Sequence, residues 1–197
     1  MMPERRAATE PSRQEGGVTR RPAGATIPAN RVPLAENPID HLFAEHQRIR
    51  AACDLLDSLA RRPTDIGREL PAMLALFFRE DFVRHHDDEE EDFLPLLERR
   101  MFVGDAIDEA LNQLRAEHAA DNKTLKRLLP LLDALAAGEE IGEPGTLKVF
   151  AQSFAESVRR HMAWENVTIA AFAESRLTAA DREALAAGMT RRRRAAD

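Results

Sequence analysis

The chain has no tyrosine, one tryptophan and one cysteine, Cys53, in 197 residues. A single thiol rules out an internal disulfide, so the fold must be held by packing, as suits a reducing cytoplasm. No apolar run approaches the roughly 20 residues that span a bilayer. The arginine-bearing N-terminal residues also lack the apolar core of a secretory signal. Strand-like alternation of β-branched residues is scarce as well. What is present is 44% hydrophobic residues, dominated by leucine and alanine, in a chain long enough to bury one sizeable core. These features predict a cytoplasmic, all-α protein with no membrane-embedded part.

Charge is spread unevenly. Residues 1–36 carry six Arg against four Glu and residues 191–197 four Arg against one Asp, so with a net charge of −6 the residues between hold −11. A body this acidic argues against nucleic acid on the folded domain. The four arginines from Arg191 read as a solvated end.

Residues 1–36 mix Arg, Pro, Gly, Thr and Glu without a period and read as a flexible N-terminal arm. Order is expected from Asn37, a good N-cap, with Pro38 at the first helical position and Asp40 in the first turn. A first helix to about Ala60 stops before Pro63. A second starts between Thr64 and Pro71 and lasts to about Arg99. A third spans roughly Asp105 to Ala137, with Pro130 inside it and Gly138 as a stop. A fourth runs from near Pro144 to about Ser175. A short fifth follows Thr178, where TAAD resembles a capping box. The expected organisation is an antiparallel up-down four-helix bundle over residues 37–176, then a short C-terminal helix and basic tail over 177–197.

Four histidines interrupt the apolar stripes of these helices. Ile39, Leu42, His46, Ile49, Cys53 and Leu56 make one stripe. Leu111, Leu114, His118, Leu125, Leu128 and Leu132 make another. The second helix gives Leu74, Phe78, Phe82, His85, Glu89, Phe93 and Leu96; the fourth gives Phe150, Phe154, Val158, His161, Glu165, Ile169 and Phe172. Steps of three and four keep residues on one helical face, so all four histidines and both glutamates should point inward. The stripes also repeat. LFAEH ending at His46 matches LRAEH ending at His118, 72 residues on, and His85 with Glu89 matches His161 with Glu165, 76 residues on. Helices 1–2 and 3–4 therefore read as two copies of one αα-hairpin around a shared centre.

Two lone buried carboxylates would cost several kcal/mol each unless paired, protonated or metal-bound. A metal offsets that cost and uses the imidazoles as well. Four nitrogens and two carboxylates exceed one tetrahedral zinc site and are too nitrogen-rich for magnesium or calcium. If each glutamate bridges, two metals each receive two nitrogens and two oxygens, with positions left open. That mixture suits two iron ions, with manganese or zinc as substitutes.

Within RHHDDEEED, starting at Arg84, the competing inward pair His86 and Glu90 would place Arg79 in the core. His86, Asp88, Glu90 and Glu91 are therefore expected at the flanks or in solvent. Asp92, about 20° from His85 around an ideal helix, is a candidate hydrogen-bond partner for it. Trp164, beside the His161–Glu165 turn, reads as interhelical packing, and Cys53 as core.

These motifs resemble the hemerythrin-like (HHE cation-binding) family. HHDDEEEDFLPLL in helix 2 and HMAWENVTIAAF in helix 4 match its His-x-x-x-Glu segments, while AEHQRI and AEHAAD match its single-histidine helices. The resemblance covers about residues 37–175 together with the LTAADREALAAGMTRRR ending. It implies a four-helix bundle around a di-iron site, with His46, His85, His118 and His161 as terminal ligands and Glu89 and Glu165 as bridges. Oxygen-carrying members have a fifth histidine one turn after the helix-3 ligand, where this chain has Asn122. His86 is the reserve ligand, since His41 lies about 140° from His46 around its helix.

The leading functional expectation is a non-haem di-iron protein that binds O2, NO or peroxide for sensing, storage or detoxification. A di-iron peroxidase or oxidase is one alternative, and a metal-dependent partner-binding module is another. The ligand assignment predicts that His85→Ala and Glu165→Ala lose most bound metal while His41→Ala keeps it. Elemental analysis of the purified variants reads this directly, and full stoichiometry in the first two would overturn the assignment.

Overall fold

A computed structural model describes residues 26–63, 67–105 and 107–195. Among them are five helices and no strand. Helix α1 is Pro38–Arg61. Helix α2 is one continuous rod built from Glu69–Phe77, Phe78–Phe82, Val83–Asp88, Glu89–Phe93 and Leu94–Arg99. Helix α3 is Asp108–Ala137. Helix α4 joins Pro144–Trp164, Glu165–Ile169 and Ala170–Arg176, and α5 is Ala179–Ala195. Helix α1 packs on α2 and α4, and α3 packs on those same two, so the first four close a ring.

The helix ends follow from local chemistry. The Asn37 side chain accepts from the Asp40 backbone N–H, with Pro38 just inside the helix. At the end of α3, Gly138 takes the left-handed conformation (φ 77°). Its N–H reaches Leu135 O at 3.1 Å and that of Glu139 reaches Ala134 O at 2.8 Å. These bonds satisfy carbonyls that the helix leaves open. The TAAD box also forms: Asp181 accepts from the Thr178 N–H at 2.8 Å and Thr178 Oγ1 accepts from the Asp181 N–H at 3.2 Å.

The two His-x-x-x-Glu helices are not regular. Three π-turns interrupt them, at Phe78–Phe82, Glu89–Phe93 and Glu165–Ile169. The last two begin at the two glutamates and are 76 residues apart, so the repeat seen in sequence extends to the backbone distortion. A π-turn holds one extra residue, which rotates everything beyond it relative to an ideal helix. Projection at 100° per residue therefore fails along α2.

The core falls into two apolar clusters. One gathers Ile49, Leu56, Phe78, Phe82, Leu128 and Phe154 with their neighbours. The other gathers Ile39, Leu42, Phe93, Leu111, Ile169 and Leu185 with theirs. On each stripe the histidine stands between them, as His46 does between Leu42 and Ile49. Phe78, Phe82 and Phe154 meet edge to face, with ring centroids 5.2–6.0 Å apart. Cys53 is fully buried, as expected, and burial pushes its thiol up to about 12.

Outside the ring, two segments differ from the sequence reading. Residues 26–36 belong to the expected arm, whose residues 1–25 lie outside those described. Asn30 Nδ2 donates to His41 O at 2.8 Å, Arg48 Nε donates to Pro28 O at 2.9 Å, and Ile27 and Leu34 pack against the two clusters. The basic tail is a solvated end only in part: Arg191 and Arg194 are exposed, while Arg192 and Arg193 are not. Its arginines continue α5, whose Leu185 and Met189 are buried in the second cluster. Arg192 and Arg193 are bonded to acidic groups on α1 and α2.

Phe154 ties α4 to the phenyl cluster of α2, so truncating it leaves a cavity that rigid neighbours cannot fill. Phe154→Ala should lower unfolding free energy by about 3–5 kcal/mol, measured from denaturant midpoints at unchanged slope. A loss below about 1 kcal/mol would mean that the cluster collapses onto the gap.

Candidate metal centre

Three of the four stripe histidines are held by their outer nitrogen. His46 Nδ1 lies 3.0 Å from Asn166 Oδ1, His85 Nδ1 3.1 Å from Glu45 Oε2, and His118 Nδ1 2.7 Å from Glu90 Oε1. His161 Nδ1 lies 2.9 Å from Asp121 Oδ2, without the alignment of a hydrogen bond. An ionised carboxylate or an amide oxygen only accepts, so Nδ1 donates and Nε2 keeps its lone pair free for the centre. The holders obey the repeat. Glu90 and Asn166 directly follow the two inward glutamates. Glu45, one residue before His46, and Asp121, three after His118, lie one turn apart on equivalent faces.

At the centre the donor atoms have nothing to bind. Nε2 of His46, His85, His86, His118 and His161, both oxygens of Glu89 and Oε2 of Glu165 are buried with no hydrogen-bond partner. Neighbouring donors stand 3.3–3.8 Å apart: His85 Nε2 to Glu89 Oε1 at 3.3 Å, His118 Nε2 to Glu89 Oε2 at 3.4 Å, His46 Nε2 to Glu165 Oε2 at 3.5 Å, and His118 Nε2 to Glu165 Oε1 at 3.8 Å. Two ligands on one ion with bonds of about 2.1 Å sit roughly 3.0–3.5 Å apart at octahedral to tetrahedral angles. Three groups have donor atoms all within 4.8 Å of one another: His86, His118 and His161; His46, His85 and Glu89; and Glu89, His118 and Glu165. Glu89, shared by two of these groups, lies between the histidine sets. Buried polar atoms are rarely left unpaired, so an orphaned donor set of this kind fits a metal.

All six residues singled out from the stripes converge here: His46, His85, Glu89, His118, His161 and Glu165. His86 joins them, contrary to the expectation that it lies at the flank. It is 2% exposed, its ring stacks on that of His118 at 4.1 Å between centroids, and it lies 5.6 Å from His161. Neither ring nitrogen has a well-formed hydrogen bond, although the Asn122 amide lies beside it. Arg79, seven residues earlier, weighs against an inward His86 only on an unbroken α-helix. The π-turn at Phe78–Phe82 contains Arg79 and breaks that phase before His86. Arg79 pairs outside with Asp133 at 2.8 Å. A signal did exist in the repeat, because the residue 76 positions after His86 is Met162, which is apolar and buried.

Three other expectations are corrected. Asp88 is fully buried rather than solvated, because Arg193 covers it at 2.7 Å. Asp92 does not hold His85. Glu45 does that, and Asp92 accepts from Arg192 at 2.9 Å on the side turned by the second π-turn. Trp164 is half-exposed beside Ala110 and Gln113 of α3 instead of filling an interhelical gap. His41 stands outside the centre, its Nδ1 donating to Val32 O at 2.6 Å.

The hemerythrin HHE cation binding domain matches residues 37–191 of the chain. The chain belongs to the hemerythrin family. Cation binding is thus the family property for which these donors are arranged. No curated protein matches the chain. The match starts at the N-cap of α1 and ends one residue before Arg192, so it takes in the bundle and most of α5.

Electrostatics set how this hemerythrin-type centre charges. Burial and the like charge of Glu89 push Glu165 up to about 8, and burial pushes Glu89 well above the usual range. Burial drives His85 down to about 4 and His86 well below its ordinary value. At pH 7 the metal-free centre therefore holds neutral His85 and His86 and protonated glutamates, so carboxyl protons must leave when a cation enters. Ferrous iron added anaerobically at pH 7 should release about one to two protons per chain. Release should decline as pH rises through about 8, where Glu165 ionises unaided, and Glu165→Gln should release less. An indicator dye in weak buffer measures it, and release that ignores pH would contradict the assignment.

Proposed function

We propose that this protein is a non-haem di-iron protein that binds O2, NO or peroxide at a closed site, for sensing, storage or detoxification. The observation that supports it is the buried ring of unpartnered donors, divided into a three-histidine and a two-histidine group about Glu89. The ligand set is His46, His85, Glu89, His118, His161 and Glu165, with His86 added on the side of His118 and His161. In this reading Glu89 and Glu165 would supply the carboxylate oxygens. Three imidazoles on one side against two on the other would leave the His46–His85 side less filled and open to a small ligand.

Two iron ions supply electrons and vacant coordination positions for a small molecule. The chain supplies the rest. Glu45, Glu90 and Asn166 hold three imidazoles in the tautomer that points Nε2 inward. The histidines and glutamates are at most 2% exposed, which excludes bulk water and any substrate much larger than a diatomic or peroxide. Manganese or zinc can use the same donors; zinc, which does not change oxidation state, could not support redox chemistry with peroxide or O2.

The test is metal content per chain after aerobic purification from iron-supplied cells, with an optical spectrum of the same sample. About two irons with near-ultraviolet ligand-to-metal absorption are expected, with spectral change on adding NO or on cycling oxygen. A folded, helical, metal-free protein would overturn the proposal, and rapid peroxide turnover would move the function to a peroxidase. His86→Ala should lower iron below two per chain, and His41→Ala should leave it unchanged. Equal iron in both variants would remove His86 from the ligand set.

A further inference from the structure

The C-terminal helix reaches the centre by a chain of contacts that neither the family match nor the proposed function uses. Helix α5 packs on α1 and on the middle of α2. It is fixed at its start by Arg100, which donates to the Asp181 carboxylate at 2.8 and 3.0 Å. It lies close because Gly188 faces Asp92, and a Cβ there would collide with that carboxylate. At its far end Arg192 donates to Glu91 at 2.8 Å, to Asp92 at 2.9 Å and to Asp88. Arg193 donates through Nη1 to Asp88 Oδ2 at 2.7 Å and through Nη2 to Glu45 Oε1 at 3.1 Å. The other Glu45 oxygen accepts from His85 Nδ1 at 3.1 Å, and His85 Nε2 faces Glu89 at 3.3 Å.

The guanidinium is a planar fork that can hold two carboxylates at fixed relative positions. Here it clamps Glu45 of α1 to Asp88 of α2, so the oxygen that orients His85 cannot swing away. Asp88 is fully buried, and without the two arginines it would be a stranded charge, which ties α5 firmly to this spot. We propose that α5 is a strap over the metal centre and that Arg193 is a positioning residue. Through Glu45 it fixes His85, so docking of α5 and retention of metal at the His46–His85 side support each other. The proposal rests on the reading of His85 as a ligand. Coupling between two sites is reciprocal: the docked strap tightens metal binding, and bound metal keeps the strap docked.

Arg193→Gln in the full chain tests it, since glutamine keeps much of the reach and removes the fork and charge. Metal affinity, read by competition with a chelator, should fall by about tenfold, the lower end of the effect of disturbing an outer hydrogen-bond partner of a ligand. Uncovering Asp88 lowers the metal-free Tm as well, and the rise in Tm on metal loading should shrink beyond that loss. In the unaltered protein, amide exchange over residues 185–195 should be faster without metal than with it. An unchanged affinity, with equal Tm loss in loaded and metal-free forms, would overturn the proposal, as would α5 exchange that ignores metal. His85→Ala separates the two ideas: if it keeps its full metal, the ligand reading fails, whatever Arg193→Gln does.

Discussion

An ionised carboxylate inside a helical core costs several kcal/mol unless positive charge stands beside it. Glu89 and Glu165 occupy that position, and among the described residues neither pairs with a lysine or an arginine. Their neighbours are imidazoles, which burial keeps neutral at His85 and His86. In the absence of a cation the glutamates must hold protons. With one, the same oxygens and nitrogens become its ligands. The holders Glu45, Glu90 and Asn166 make sense only against that requirement, because they fix the direction of the rings they hold.

The centre is built by duplication and then made unequal. The His-x-x-x-Glu helices share a π-turn that starts at the glutamate, and the single-histidine helices share the AEH segment. Helix α2 alone carries the additional π-turn before its histidines, and it alone has a second inward imidazole where α4 has Met162. One half of the layer is therefore richer in nitrogen by one ring. An asymmetric donor layer needs no new helix for this, only a different residue and a slightly unwound turn.

Much of this was legible in the chain. Helix ends followed from Asn37, Thr178 and Gly138, whose cap chemistry is local. The six inward residues followed from three-and-four spacing, because those steps return each histidine and glutamate to the face that its leucine and phenylalanine neighbours bury. The missed features share a physical cause. His86 and Asp92 were misplaced because an α-helical projection cannot anticipate a π-turn. Asp88 and the arginine tail were placed in solvent because each was judged alone, although together they neutralise one another. Pairing across 105 residues of sequence leaves no periodic trace.

The polar layer also divides the interior. The cluster around Phe78 and Phe154 and the cluster around Phe93 and Leu185 are separate, with the metal centre between them. A core split this way behaves as two small droplets joined by a rivet rather than one continuous drop. Each half has its own apolar packing, and what passes between them is carried by the helical backbones and by the polar layer itself. Loosening the rivet leaves both droplets intact and lets one end breathe without the other while most of the packing stays in place.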